Sequence, residues 1–211
     1  ETGSAYSLQP YLPGTVGADA VRLDPEDYLT FAEALTNVKL VIWNKGPADG
    51  LSAQEVAALK NARPARVFLC GDRIVSSLSA SGDLDHLGLA WIGWNLEGQN
   101  TGAVRLAGQQ GDVITGALGA NIEGRLIQYY VNMVRITDPA GVFPIMHFQN
   151  DGRRTTGGSS AYAIAAPDTI FGARSTRNET RTVLLGISPY VIVQDSIRRA
   201  LIRDTLNWLV P

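Results

Sequence analysis

The sequence predicts an α/β fold: a three-layer sandwich around a mostly parallel, flavodoxin-like sheet, with a β-rich insertion at about 90–180. Three observations lead there. Residues 25–70 run helix, strand, helix, strand, the crossover rhythm of a parallel sheet. Residues 182–209 close the chain with another strand and helix. Between them the composition shifts to Gly, Thr, Asn and Gln with short β-like runs, the pattern of hairpins. We read residues 1–211 as one domain.

The elements follow in order. Asp24, Pro25, Glu26 and Asp27 open a helix over about 25–36, whose Tyr28, Phe31, Ala32 and Leu35 form a single apolar stripe. Val38 to Trp43 is nearly continuous apolar sequence, the look of a strand covered on both faces. Asn44 to Gly50 is turn chemistry. Ser52-Ala53-Gln54-Glu55 is a capping box that starts a second helix, and Pro64 stops it. Arg66 to Cys70 is a second short strand, ending at Gly71-Asp72. In the middle, Gly102–Leu106, Leu126–Ile136, Pro144–Phe148 and Ala161–Ala165 read as strands. Thr182 to Ile187 reads as the closing strand, and 195–209 as a helix with Ile197, Leu201, Ile202, Leu206 and Leu209 inward. Its arginines describe a solvated face.

Composition narrows the function. Lys+Arg 18 against Asp+Glu 20 gives a net charge of −2, so no global field recruits nucleic acid or anionic membrane. No apolar run is long enough to span a bilayer. One cysteine and two histidines supply neither a disulfide framework nor a Cys/His metal cage, and no cofactor motif is present. The first residues, Glu1-Thr2-Gly3-Ser4, read as a processed end, an excised domain or a cloning scar.

Open α/β sheets bind ligands at the carboxyl ends of their strands. Two such ends are Asn44-Lys45-Gly46-Pro47 and Cys70-Gly71-Asp72. A cysteine in a strand-to-helix turn can act as a nucleophile if a base is placed beside it, although free cysteine is also a common buried residue.

Val41 to Pro47, the capped helix, and Val67-Phe68-Leu69-Cys70-Gly71 resemble the class I glutamine amidotransferase-like superfamily. Val183-Leu184-Leu185-Gly186-Ile187 and the helix from Arg198 to Trp208-Leu209 are similar to the ends of a bacterial group of such domains, often appended to larger exported proteins. Gly108 to Gly116 and Pro144 to Phe148 fit the same pattern, so the likeness spans roughly 35–211. It implies the parallel fold and places Cys70 at the nucleophile position. There the family's elbow has glycine on both sides of the cysteine; here Leu69 precedes it. Where the family has His-Pro-Glu, this chain reads Ser188-Pro189-Tyr190, so the amidotransferase triad is absent. A complete domain of this type also begins with a strand that residues 1–15 do not show; Val21-Arg22-Leu23 reads as a short second strand. A sheet lacking a strand exposes a pairing edge.

Other residues are candidates for function. His86, in a polar connector, and His147, in an apolar run, are the substitute bases Cys70 could use, with Asp72 to orient either; a lone histidine of this kind is more often a hydrogen-bonded structural residue. Trp91 and Trp94 suit a glycan platform or a small satellite core. Arg153 and Arg154 in a Gly/Ser/Thr loop suit a phosphate or carboxylate. Asn178-Glu179-Thr180 is a glycosylation sequon, relevant only on a eukaryotic secretory route. The reading that emerges is a non-catalytic interaction or assembly domain of a larger exported protein, placed outside the cell or on its surface, with a cytoplasmic placement left open. Its expected partners are neighbouring domains or subunits, or a glycan. A cysteine-dependent hydrolase using Cys70 is the competing enzyme reading.

Overall fold

The computed structural model describes residues 8, 11–12, 38–46, 50–62, 64–95, 103–125, 131–149, 153–155, 162–163 and 170–211. The helix expected at 25–36 and the short strand at 21–23 lie outside these residues. Among the described residues the chain forms β1 (Val41–Asn44), α1 (Ala53–Ala62), β2 (Arg66–Cys70), α2 (Ile74–Ala80), β3 (Leu89–Asn95), β4 (Ala103–Gly108) and β5 (Ile122–Arg125). There follow β6 (Val131–Ile136), β7 (Val142–Phe148), β8 (Arg153–Thr155), β9 (Tyr162–Ala163), β10 (Ile170–Ser175), β11 (Arg181–Leu185) and α3 (Asp195–Leu209).

A seven-stranded sheet runs β1-β2-β11-β10-β7-β4-β5, beside a four-stranded sheet β6-β3-β8-β9. Only β1, β2 and β11 are mutually parallel. From β11 outward every pairing in the large sheet is antiparallel: β11–β10, β10–β7, β7–β4 and β4–β5. The expected mostly parallel, flavodoxin-like sandwich is therefore wrong. The sheet is mixed and mostly antiparallel. Four strands of the expected insertion, β4, β5, β7 and β10, extend the main sheet, while the other four build the second one.

The physical reason lies in what an apolar run reveals. A strand buried on both faces reads as continuous apolar sequence whether its neighbours are parallel or antiparallel, provided both faces are covered. Side chains alternate across the large sheet, so β2 sends Phe68 and Cys70 to one apolar cluster, and Val67 and Leu69 to another. The first cluster gathers Val183, Leu185, Ile145, Phe171 and the inner face of α3: Leu201, Ile202, Leu206 and Leu209. The second gathers Leu184, Val41 and Trp43 with Val56 of α1, Ile74, Val75 and Leu78 of α2, and Leu89 and Val134 of the small sheet.

Local chemistry fixes the elements. Ser52 and Glu55 form the capping box, Glu55 N–H donating to Ser52 Oγ at 3.2 Å and Ser52 N–H to Glu55 Oε2 at 2.6 Å. The Gly108–Gly116 loop is knotted by Asp112. One of its oxygens accepts the N–H groups of Ile114 (2.9 Å) and Thr115 (3.1 Å), and the other pairs with Arg174 Nε at 2.7 Å. The Arg174 guanidinium in turn stacks on Phe143 and faces Trp208 at the end of α3. The free side of β5 is covered: Gly124 bridges Ile192, and Val193 N–H donates to Glu123 O at 2.9 Å. Such a cover blunts an edge that would otherwise pair with another chain. No helix among the described residues is long and apolar enough to cross a membrane.

Gly186, just past β11, has no room for a side chain. A Cβ there would lie 2.7 Å from the Asn132 carbonyl oxygen of the second sheet and 3.1 Å from that of Phe171. Both obstacles are backbone. Gly186→Ala should cost about 1–3 kcal/mol, the usual price of overpacking. Urea unfolding measures it, and an unchanged midpoint would contradict this seam between the sheets.

Candidate functional site

The carboxyl ends of β1, β2 and β11 lie level, since Asn44 pairs with Cys70 and Cys70 with Leu185. This is where an open sheet presents residues to a ligand. The turns leaving these strands are laced together by backbone hydrogen bonds. Lys45 N–H donates to Cys70 O (3.0 Å), Gly71 N–H to Leu185 O (3.3 Å), and Asp72 N–H to Gly46 O (3.2 Å). Gly71 sits at φ +150°, where a Cβ would meet the Gly46 carbonyl oxygen at 3.1 Å, so only glycine lets these two turns approach.

The side chains at this place are turned inward and engaged. Cys70 is fully buried, and its thiol donates to Asn44 Oδ1 at 3.6 Å. That oxygen also accepts the Gly46 N–H at 3.2 Å. Lys45 Nζ contacts Glu55 Oε1 at 2.9 Å, with side-chain exposures of 14% and 2%. The lysine charge is thus met by the carboxylate that caps α1, which suits a buried cation.

Asp72 is the unusual group. It is 2% exposed, and one carboxyl oxygen accepts the Ser188 N–H at 3.0 Å. Its backbone carbonyl accepts a hydrogen bond from the Asn132 side-chain amide of β6. Burial pushes its pKa up to about 8, against the lowering pull of the Ser188 N–H and the neighbouring Arg73 charge. Its other carboxyl oxygen, Ser188 Oγ and Asn132 Oδ1 are all buried and find no hydrogen-bond partner among the described residues.

The two histidines do not join this cluster. His147 lies on β7, three strands from β2 with β11 and β10 between them, which is about 14 Å at ordinary strand spacing. It is half-buried, and burial pushes its pKa down. His86 sits in the turn before β3, where its carbonyl accepts the Asn178 amide at 3.3 Å. Asn178 precedes β11, so His86 belongs to the opposite end of the strands from Cys70, a strand length or about 16 Å away. Neither imidazole is placed to activate the Cys70 thiol, and Asp72 orients neither.

The remaining candidates are scattered. Trp91 is half-buried and packs against the second apolar cluster. Trp94 pairs through its backbone with Asn132 and Thr155, and its side chain lies outside the described residues. The same holds for the side chains of Arg153 and Arg154, whose backbones pair with Ala163 and Tyr162. Asn178 is exposed in a left-handed turn at φ 53°. Among the described residues no group of three or more His, Cys, Asp and Glu side chains comes together as a metal site would need.

Sequence reasoning missed Asn132 and the pairing of Lys45 with Glu55. The one local signal for Asn132 is a polar residue in the apolar run Val131-Asn132-Met133-Val134. No family model matches the chain, and no curated protein matches it.

The burial of Cys70 has a direct chemical readout. In the native protein the thiol should react with an aromatic disulfide reagent at least about a hundredfold more slowly than in denaturant, since reaction requires an exposed thiolate. Rapid stoichiometric labelling under native conditions would place Cys70 at the surface instead.

Proposed function

We propose that this chain is a non-catalytic interaction domain of a larger, exported protein. One observation carries the reading: the place where a strand-end nucleophile would act is closed. Cys70 is fully buried and engaged with Asn44, and Lys45 is held by Glu55. The turn after β11 presents Ser188-Pro189-Tyr190, and Ser188 and Pro189 are themselves buried. A nucleophile needs access to substrate and a base within hydrogen-bond reach; Cys70 is shut off from solvent, and His86 and His147 both lie away from it. The resemblance to bacterial amidotransferase-like domains supports the accessory role by analogy. Export and an extracellular or cell-surface placement rest on that analogy alone.

Glutamine and activated-ester hydrolysis test the reading, measured beside light scattering of the purified chain over a range of concentrations. The expected result is no turnover above that of Cys70→Ala, together with self-association or association with neighbouring domains of its parent protein. Turnover that Cys70→Ala abolishes would overturn it. So would a strict monomer that binds none of those neighbours.

A further inference from the structure

Arg66 opens β2 and Arg181 opens β11, and the two are register partners on neighbouring parallel strands. Register partners point to the same face of a sheet. Here it is the α3 face, since Phe68 and Val183, two residues along each strand, both enter the apolar cluster under that helix. Two guanidinium groups are thus rooted about 4.8 Å apart, and like charges set side by side repel. We propose that this end of the sheet, with Trp208 at the end of α3, is a docking surface for an acidic segment of a partner protein. The proposal rests on the reading of the chain as an interaction domain and names the chemistry of what it binds.

The pair lacks the counter-charge that the other half-buried arginines have. Arg174 meets Asp112 at 2.7 Å, Arg177 meets Asp138 at 2.7 Å, and Arg198 meets Asp195 at 3.9 Å. Among the described residues no carboxylate reaches Arg66 or Arg181. Asp204, one helical turn before Trp208, is held by Arg203 through two contacts of 2.7 and 3.0 Å. The end of α3 answers half of the pair: Arg181 Nη1 donates to the Trp208 carbonyl at 2.7 Å, as suits a cation at a helix C-terminus. Arg66 has no such acceptor among the described residues.

Apolar surface adjoins the charge. The Arg181 guanidinium lies 5.6 Å from the Trp208 ring, and that of Arg174 lies 5.4 Å from Trp208 and 4.3 Å from Phe143. Phe143 is exposed, as is Val210, two residues past Trp208. Aromatic residues beside arginine are the composition of a binding hot spot. This decides the occupant. A free phosphate would meet the arginines and leave Phe143 and Val210 in water. A nucleic acid needs a run of phosphate contacts, which two unpaired cations on a chain of net charge −2 do not supply. A carboxylate followed by an apolar side chain meets both needs, the carboxylate on the guanidinium forks and its neighbour against the aromatic rings.

The probe is an octapeptide of alternating glutamate and leucine, titrated at low salt into the nitrogen-labelled full chain. The arginine Nε–H and Trp208 indole N–H signals are followed by NMR. Saturable shifts are expected, with affinity falling roughly tenfold in Arg66→Gln or Arg181→Gln, as for one lost charge-assisted contact, and falling again at physiological salt. The same peptide with glutamine for glutamate should bind roughly tenfold more weakly or worse. No saturable shift with the acidic peptide, equal binding of the glutamine peptide, or equal affinity in wild type and both variants would overturn the proposal. Inorganic phosphate that saturates the same signals as tightly would also overturn it, by marking a bare oxyanion site.

A second readout separates binding from structure. Arg66→Gln removes a like-charge repulsion, so its melting temperature at low salt should equal or exceed that of the wild type. A fall of more than about 5 °C, the size of a lost structural contact, would make Arg66 a structural residue and end the proposal. Should a variant fail to fold, the two peptides on the wild-type chain decide alone. A chain that associates with neighbouring domains while these signals stay still would sink this surface and spare the interaction-domain reading. Peptide binding here in a chain that also turns over glutamine would do the reverse.

Discussion

β11 is the strand on which the rest of the structure depends. It must satisfy two different hydrogen-bond ladders at once, slanted and parallel to β2 on one side, perpendicular and antiparallel to β10 on the other. Its residues Thr182 to Leu185 are all buried, and it feeds both cores: Val183 and Leu185 into the α3 side, Leu184 into the side of α1 and α2. A strand covered on both faces and paired on both edges has no solvent-facing fallback, so its register is tightly specified. The level carboxyl ends that form the candidate site inherit their alignment from it.

This position also explains where sequence patterns sufficed. The capping box of α1, the strand at Arg66–Cys70 and the closing helix Asp195–Leu209 were legible because their signals are local: a cap, a proline stop, a helical apolar stripe. The direction of strand pairing is not local. The runs Val142–Phe148 and Ile170–Ser175 carry enough apolar residues to be strands, yet nothing in them states that they join the main sheet antiparallel. The crossover rhythm at each end describes three strands correctly, and its extension to the remainder of the sheet was the error.

The site was legible to the same degree. Cys70, Asp72 and Asn44 sit where the strand-end rule puts them. Their partners come from far along the chain. Ser188 lies 116 residues from Asp72 and Asn132 lies 60, so no spacing motif announces the contacts. Packing closes this place: a thiol lies inside the apolar cluster, a lysine is paired with a helix-capping glutamate, and a carboxyl is buried at the second sheet.

The central claim is the change of pairing direction at β11, and cross-strand proton contacts test it most directly. Antiparallel neighbours bring Hα atoms of non-hydrogen-bonded pairs close together, whereas parallel neighbours do not. In the β10–β11 ladder, where Gly172 pairs with Leu185 and Arg174 with Val183, NMR should show strong Hα–Hα contacts at alternate pairs. In the β2–β11 ladder, where Phe68 pairs with Val183, it should show none. Absence of the first set, or its appearance between β2 and β11, would contradict the account.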